Sequence, residues 1–350
     1  MIIKPDTFIS SNDVLESGTK LIKDVYPFWR YKEIICFAFD EGNTNQVFGF
    51  YTTEEKNEKF KKIIILKVFG DQTDVIIDRK FELEAMKKCS DLKLGAELYC
   101  QFGNGLLYEF FHGDILNDVT VRDPHIAYLI AKKIGELHAL YPVDEKDFPE
   151  LPTIYQRIHD WIENELHDLQ YFELTNSRIG EMSVSYTSLR DEILFIKSNL
   201  NKTNIKSPMV FSHNDLVVKN IVYNKEMDKL DFIDLEYGGY HFSAYDVGNH
   251  FAELARNDPF AFPKEPEQKR FIRTYLTTFN SLRNLPAPTK NDIHKFYLEA
   301  NKMTLVGHFF WGVWAVVQNQ ISTIDYSYKQ FADEKLSEYF NRKTELMSLK

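Results

Sequence analysis

The chain has 350 residues, 44% of them hydrophobic, which is enough for one large or two medium domains with a substantial core. Its three cysteines form no CxxC pair, which argues against a disulfide framework or a cysteine zinc site and favours a reducing compartment. A formal net charge of -10 argues against nucleic acid as the main partner, because phosphate binding requires a basic face. The N-terminus has no basic region followed by an apolar run, and no stretch of about 18 apolar residues occurs, so we expect a soluble cytoplasmic protein without a transmembrane segment.

The first third of the sequence predicts a small β-rich lobe, which we place at residues 1–112. Residues 1–23 are polar and are predicted to be helical. The segments EIICFAFDEG, NTNQVFGFYT and KKIIILKVFG are rich in β-branched and aromatic residues, which predicts three antiparallel strands. A predicted helix over residues 78–92 and two further strands, AELYCQFG and GLLYEFF, complete the lobe.

Residues 113–350 predict a larger, mainly helical lobe. In HIAYLIAKKIGELHALY apolar residues recur at helical spacing, so this helix should bury one face. A β-hairpin, NIVYNKEMDKLDFIDLEY, interrupts the helical pattern. Further helices are predicted over residues 155–171, 186–200, 244–254, 267–280, 291–326 (with a break) and 333–346.

Polar side chains gather at the two ends of this hairpin. In SHNDLVVKNIVY, Asp215 and Asn220 precede the first strand, while Asp234 and Glu236 follow the return strand. Because the entry of one antiparallel strand lies beside the exit of its neighbour, we expect Asn220 and Asp234 to reach one ion, with Asp215 facing the same space. An amide combined with carboxylates makes a hard oxygen site suited to Mg²⁺.

Phosphoryl transfer needs a metal that bridges phosphate oxygens and a loop carboxylate that accepts a proton from the attacking hydroxyl. Asp215, Asn220 and Asp234 match that requirement as a set. Asn and Asp are also common in turns and caps, which is the alternative interpretation for each of them alone. The three residues together favour phosphoryl transfer.

Longer segments around these residues resemble the choline/ethanolamine kinase family. The resemblance is carried by HNDLVVKNIVY and FIDLEYGGYHFSAYDVGNHFAEL, and extends through ILKVFGDQTDVIIDRKFELEAM and HFFWGVWAVVQNQISTIDYSY over most of residues 40–345. LYCQFGNGLLYEF and HNDLVVKNI look closer to ethanolamine kinases. The resemblance implies an α+β, protein-kinase-like (aminoglycoside-phosphotransferase-like) two-lobed fold. A small antiparallel β-rich N-terminal lobe would bind ATP, and a large mainly helical C-terminal lobe would carry catalysis and acceptor binding.

The resemblance also implies roles for individual residues. Asp215 would be the catalytic base, Asn220 and Asp234 would bind Mg²⁺, and Glu236 is a further candidate ligand. Lys67 would contact the ATP phosphates and Glu82 would pair with it. The family more often has arginine at the position of Lys67, and lysine keeps the charge but lacks the bidentate fork.

Further nucleotide contacts are implied at two places. The loop DEGNTN, which ends at Asn45, would cover the phosphates, although an ordinary hairpin turn would have the same sequence. The adenine ring would lie against the connector near Glu109 and Phe111.

The acceptor pocket is expected on the tryptophan-rich segment HFFWGVWAVV. Trp311 and Trp314 are three residues apart, which puts both rings on one face of a helix, where aromatic rings attract a cation. A core helix is the alternative interpretation of this segment. The resemblance implies that Glu253 lies near the amino-alcohol head group, with Tyr326 and Phe331 as further walls.

The leading hypothesis is ATP- and Mg²⁺-dependent phosphorylation of ethanolamine, with choline as a possible second acceptor, as the first step of phospholipid head-group synthesis. Val217 stands where choline kinases often have glutamine, which weakens a choline assignment. The alternatives are a choline kinase, an aminoglycoside-phosphotransferase-like enzyme and a pseudokinase acting as a binding module. Asp246 is expected to brace the catalytic loop, and His213 to orient it. The sequence is compatible with a homodimer.

Overall fold

The computed structural model describes residues 1–10, 13–39, 45–53, 62–70, 73–256, 261–322, 324 and 326–349. The chain divides into two compact units: residues 1–114 with 222–236, and residues 115–221 with 237–350. The hairpin segment 222–236 thus groups with the first unit, whereas the predicted lobes divide the chain once, after residue 112. Among the described residues, no helix combines the length and apolar character needed to cross a membrane.

The described part of the first unit contains β1 (Ile2–Lys4), α1 (Val14–Val25), β2 (Ile34–Phe39), β3 (Asn45–Thr52), β4 (Ile64–Phe69), α2 (Arg79–Asp91), β5 (Leu98–Phe102) and β6 (Gly105–Glu109). The strands form a sheet with the order β1-β5-β6-β4-β3-β2, in which only the β1–β5 pair is parallel. The predicted order of strands and helix is confirmed. Residues 1–23 differ from the prediction, because residues 2–4 pair with β5 as a strand and the helix begins only at Val14.

Strand β4 lies inside this sheet, between β3 and β6. Its side chains alternate between the hydrophobic core on one face of the sheet and the opposite face. Ile64, Leu66 and Val68 belong to the core cluster that includes Ile22 of α1. Complete burial of such side chains contributes about 1.5–3 kcal/mol each. Because successive strand residues point to opposite faces, Lys67 is directed away from this cluster.

The second unit is mainly helical, as predicted. The expected break within residues 291–326 is not found, since one helix of 32 residues runs without interruption and ends at Ile321. No proline falls inside it, and a capping box between Thr289 and Asp292 fixes its start. The helices are α3 (Pro124–Leu140), α4 (Thr153–Glu165), α5 (Tyr186–Asn199), α6 (Ala244–Leu254), α7 (Glu265–Leu282), α8 (Lys290–Ile321) and α9 (Tyr328–Met347).

After residue 112 the chain also contains short strands: β7 (Asp114–Ile115), β8 (Phe172–Leu174), β9 (Met182–Val184), β10 (Met209–Ser212), β11 (Ile221–Asn224), β12 (Lys229–Phe232) and β13 (Gly239–Phe242). The predicted hairpin is present as β11 and β12. Two antiparallel pairs that the sequence did not predict, β8–β9 and β10–β13, are also present. Their strands have only three or four residues, too few to show an alternating pattern.

Helix α6 is almost wholly buried and packs closely on α8. Gly248 permits this approach, because a Cβ atom there would lie 2.3 Å from the backbone oxygen of Ala300. The close packing holds the polar residues of α6 beside the tryptophans of α8.

Candidate active site

In the first unit, the ammonium group of Lys67 lies among three carboxylates. Its Nζ atom is 2.8 Å from Glu82 Oε1, 2.9 Å from Glu236 Oε2 and 3.0 Å from Asp234 Oδ1. The predicted ion pair between Lys67 and Glu82 is therefore present. Burial disfavours the ammonium form, but the charges of Asp234, Glu236 and Glu82 outweigh that effect and raise the pKa of Lys67 well above its usual value.

Asp234 differs from the other two carboxylates in exposure and in backbone conformation. Its side chain is 35% exposed, whereas those of Glu82 and Glu236 are buried. Its φ angle of 65° lies in the left-handed region, which aspartate tolerates better than most residues. Burial and the charge of Glu236 raise the pKa of Asp234 to about 6, against the opposing effect of Lys67.

A second cation, Arg79, completes this cluster, and the sequence had not singled it out. Its Nη1 atom lies 2.8 Å from Glu82 Oε2, and its Nη2 atom donates to Asn45 Oδ1 at 2.8 Å. Asn45 in turn donates to Glu236 Oε2 at 2.7 Å. The i, i+3 spacing of Arg79 and Glu82 on a predicted helix was the available signal. Residues 40–44 of the predicted phosphate loop lie outside the described residues.

The carboxylates of this cluster offer a donor set that suits a divalent cation. One oxygen each from Glu82, Asp234 and Glu236 lies within 4.8 Å of the others. Carboxylate oxygens are the ligands that Mg²⁺ prefers, so the chemistry of the set fits the predicted metal. Two of its members, Asp234 and Glu236, are residues that the sequence proposed as ligands.

In the second unit, the side chain of Asn220 is hydrogen-bonded to Asp215. The Asn220 Nδ2 atom donates to Asp215 Oδ2 and to the Asp215 backbone oxygen, at 2.9 Å each. His213 Nδ1 accepts the backbone N–H of Asp215 at 3.3 Å, in agreement with its expected orienting role. The predicted roles of Asp215 as base and of Asn220 as metal ligand stay predictions.

Helix α6 fixes the backbone of the loop that carries Asp215. Asp246 accepts the backbone N–H groups of His213 and Asn214 at 2.7 and 2.8 Å, which confirms the expected bracing. Asn214 has a φ angle of 66°, a conformation that needs such support. Burial opposes the charge on Asp246, but His138 and the other hydrogen-bond partners outweigh it and lower the pKa of Asp246.

His138 itself was missed by the sequence analysis. Its Nε2 atom lies 3.0 Å from Asp246 Oδ2, and its Nδ1 atom lies 3.0 Å from the Tyr275 hydroxyl. The available signal for His138 was its position near the end of the apolar face of α3. The sequence could not show that His138 pairs with a carboxylate, because helix packing decides which buried position on that face meets one.

The two tryptophans of α8 lie together, edge to face, with ring centroids 5.6 Å apart. Trp314 Nε1 donates to the Tyr237 hydroxyl at 2.9 Å, and Trp311 Nε1 donates to Asn249 Oδ1 at 3.3 Å. The Tyr237 ring is 5.1 Å from that of Trp311. Tyr237 thus joins the predicted aromatic group, and it directly follows Glu236 in the sequence.

The other predicted acceptor residues adjoin this aromatic group. The Phe331 ring is 6.1 Å from Trp314 and 6.2 Å from Tyr326. Glu253 makes a buried ion pair with Lys335, a partner that the sequence did not predict. A cation of the protein therefore already occupies one oxygen of the carboxylate expected near the acceptor head group.

Comparisons with known proteins agree with this architecture. The model of the choline/ethanolamine kinase family matches residues 37–340. Ethanolamine kinase 2 of Mus musculus is 30% identical over 97% of this chain and 84% of its own length. A probable ethanolamine kinase of Nematostella vectensis is 33% identical and covers 97% of each chain.

Solved structures show the same fold at lower identity. The ethanolamine kinase of Plasmodium vivax superposes with a TM-score of 0.77 at 19% identity, over 98% of this chain and 93% of that one. The choline kinase of Cryptosporidium parvum gives a TM-score of 0.72 at 21% identity, over 95% and 96%. Aminoglycoside phosphotransferases share the fold more distantly, with a TM-score of 0.56 for one complex. The family-model match over residues 37–340, together with relatives that are 30% and 33% identical over 97% of the chain, shows that this chain belongs to the choline/ethanolamine kinase family.

Proposed function

We propose that this protein transfers the γ-phosphoryl group of ATP to the hydroxyl of ethanolamine, with Mg²⁺ as cofactor and choline as a poorer acceptor. The observation that carries the proposal is the buried Lys67 ammonium, held within 3.0 Å of three carboxylates in a chain of this family. Its relatives named ethanolamine kinases span nearly the whole chain and support ethanolamine as the acceptor.

Asp215 would orient the acceptor hydroxyl and accept its proton as the bond to phosphorus forms. The hydrogen bond from Asn220 to Oδ2 would hold the carboxylate in one orientation for this proton transfer. Asp246 supports this arrangement by fixing the backbone of residues 213 and 214.

On the donor side, Lys67 would contact the phosphates, while Glu82, which also pairs with Arg79, holds its ammonium group in place. Mg²⁺ would be held by Asp234 and Glu236, with Asn220 as the further predicted ligand, and when bound it neutralises charge that develops on the transferred group. Asn45 is proposed to close on the phosphates, and the backbone near Glu109 and Phe111 to meet the adenine ring.

On the acceptor side, the rings of Trp311, Trp314 and Tyr237 would face the ammonium group. Aromatic faces attract cations, with energies from about 0.5 to 2 kcal/mol depending on desolvation. A primary ammonium also carries three N–H donors and needs acceptors, which gives Glu253 a second role beside its pairing with Lys335.

The test is steady-state phosphorylation with ATP and Mg²⁺, with kcat/KM compared for ethanolamine and choline. We expect a preference for ethanolamine of about tenfold or more, which corresponds to about 1.4 kcal/mol in transition-state binding. Asp215→Ala should lower kcat by a factor of about 100 or more while ATP binding is retained, since a general base contributes this much. Asp191→Ala, which removes an exposed carboxylate on α5, serves as the control.

Other outcomes would favour other functions. A higher kcat/KM for choline would identify a choline kinase, and turnover only with aminoglycosides would move the acceptor assignment to that distant branch. Binding of ATP without any transfer would favour a binding module. Near-normal turnover by Asp215→Ala would contradict the proposed mechanism.

A further inference from the structure

Arg256 lies over the ring of Phe331, which was predicted as a wall of the acceptor pocket. The Arg256 guanidinium lies 4.7 Å from the centroid of the Phe331 ring, and its Nη2 atom donates to the Tyr326 hydroxyl at 2.9 Å. Arg256 is exposed, whereas Phe331 is only 8% exposed. An exposed cation is therefore placed over a nearly buried aromatic ring.

A second protein cation contacts the same ring. Lys335 Nζ lies 5.3 Å from the centroid of Phe331 and pairs with Glu253 Oε1. Two fixed cations thus share the ring that was expected to face a substrate cation. The second oxygen of Glu253 accepts no hydrogen bond from the described residues, so this carboxylate retains an acceptor atom.

These contacts affect primary and quaternary ammonium groups differently. Both groups carry one positive charge, so repulsion by Arg256 and Lys335 is similar for each and largely cancels in a comparison between them. A trimethylammonium group has no N–H donor and depends on aromatic faces. A primary ammonium can instead donate to a carboxylate oxygen, which these cations leave available.

We infer that Arg256 is a specificity-determining residue, whose guanidinium withholds the Phe331 ring from trimethylammonium acceptors and so favours a primary ammonium. The inference rests on the proposed function and assigns part of its acceptor preference to one side chain. Arg256 lies just beyond α6, and its backbone N–H donates to the backbone oxygen of Glu253 at 3.1 Å, which ties it to the turn of the chain that carries the Glu253 side chain.

The experiment compares kcat/KM for ethanolamine, its N-methyl and N,N-dimethyl derivatives, and choline in the wild-type protein and in Arg256→Ala. The ratio of kcat/KM for choline to that for ethanolamine should rise roughly two- to fivefold in Arg256→Ala, the range expected for one exposed cation–ring contact. The gain should grow with each added methyl group. Arg256→Lys, which keeps the charge but loses the planar guanidinium, should show a smaller gain.

Arg342→Ala is the matched control, because Arg342 places its guanidinium 4.3 Å from the Phe262 ring on the same unit. Its choline-to-ethanolamine ratio should stay at the wild-type value. An unchanged ratio in an active Arg256→Ala protein would overturn the inference while leaving the proposed function intact. Wild-type protein that phosphorylates none of the four acceptors would overturn the proposed function and the inference together.

Discussion

Asn220 donates two hydrogen bonds to Asp215, one to the carboxylate oxygen Oδ2 and one to the backbone oxygen, each 2.9 Å long. The amide therefore fixes both the backbone and the side chain of the proposed base. The Asn220 side-chain oxygen, which is the atom that could bind a metal, accepts no hydrogen bond from the described residues. Orientation of the base and metal binding are thus separable roles of one side chain.

We predict that Asn220→Ala lowers kcat by a factor of about 100, because Asp215 loses the contact that orients it. The Mg²⁺ concentration for half-maximal activity separates the two roles. It should rise several-fold if Asn220 is also a ligand, and stay at the wild-type value if the amide only orients Asp215. A kcat within threefold of the wild-type value would show that Asn220 neither orients Asp215 nor binds the metal.

Replacement of Asp246 should uncouple the catalytic loop from α6. In Asp246→Asn, the amide nitrogen would face one of the backbone N–H groups of residues 213 and 214, leaving a buried donor unsatisfied at a cost of about 1–3 kcal/mol. We expect a lower melting temperature and at least a tenfold loss of kcat.

Glu299→Gln provides a matched control for that variant. Glu299 also accepts two successive backbone N–H groups, those of Lys206 and Ser207, at 2.7 and 2.8 Å. It should lose stability but keep kcat per folded molecule. If Asp246→Asn loses only stability as well, the proposed support of the catalytic loop by Asp246 is wrong.

Lys67→Met should leave Glu82, Asp234 and Glu236 without their shared ammonium group. Removing one partner of a buried ion pair typically costs about 3–5 kcal/mol, so a large fall in melting temperature is expected. Because Mg²⁺ would supply the missing positive charge, we expect it to raise the melting temperature of this variant more than that of the wild type. Lys132→Met, which breaks an exposed ion pair with Glu136, should change stability by less than about 1 kcal/mol. Equal stabilisation of Lys67→Met and wild type by Mg²⁺ would argue against a metal at this cluster.

Buried His241 should make the protein less stable in mild acid. Its ring is fully buried and stacks on that of Tyr245, with ring centroids 4.3 Å apart. Burial lowers its pKa to about 3, against smaller opposing effects of the Asp246 charge and of a backbone hydrogen bond at Phe242. The unfolded chain, with a histidine pKa of about 6.5, therefore binds more protons between these values, and stability falls as the pH drops below about 6.5.

At pH 5 we expect His241 to lower the free energy of unfolding by about 2 kcal/mol, because each pH unit below about 6.5 costs about 1.36 kcal/mol. Chemical denaturation of wild type and His241→Phe at pH 7.5 and pH 5 measures it. The phenylalanine variant should lose less stability between the two pH values. The same pH-dependent loss in both proteins would show that His241 does not titrate on unfolding.

Much of this architecture could be predicted because its signals are local. The period-two pattern of β2, β3 and β4 and the 3.6-residue pattern of α3 follow from the chain itself. The spacing of Asp215, Asn220 and Asp234 around a hairpin predicted phosphoryl-transfer chemistry from the sequence alone. The sequence did not predict the pairs β8–β9 and β10–β13. Strands of three or four residues show no local pattern, and only their pairing partners define them.

The sequence by itself determined the family, the β-rich and helical segments and the set of polar residues that carry the proposed chemistry. Only the tertiary structure decided which charges meet: Lys67 with Glu236, His138 with Asp246, Lys335 with Glu253. Residues of these last two pairs are 108 and 82 positions apart along the chain. Such pairings depend on how helices pack and on which buried charge has a partner within reach, and no local periodicity records either.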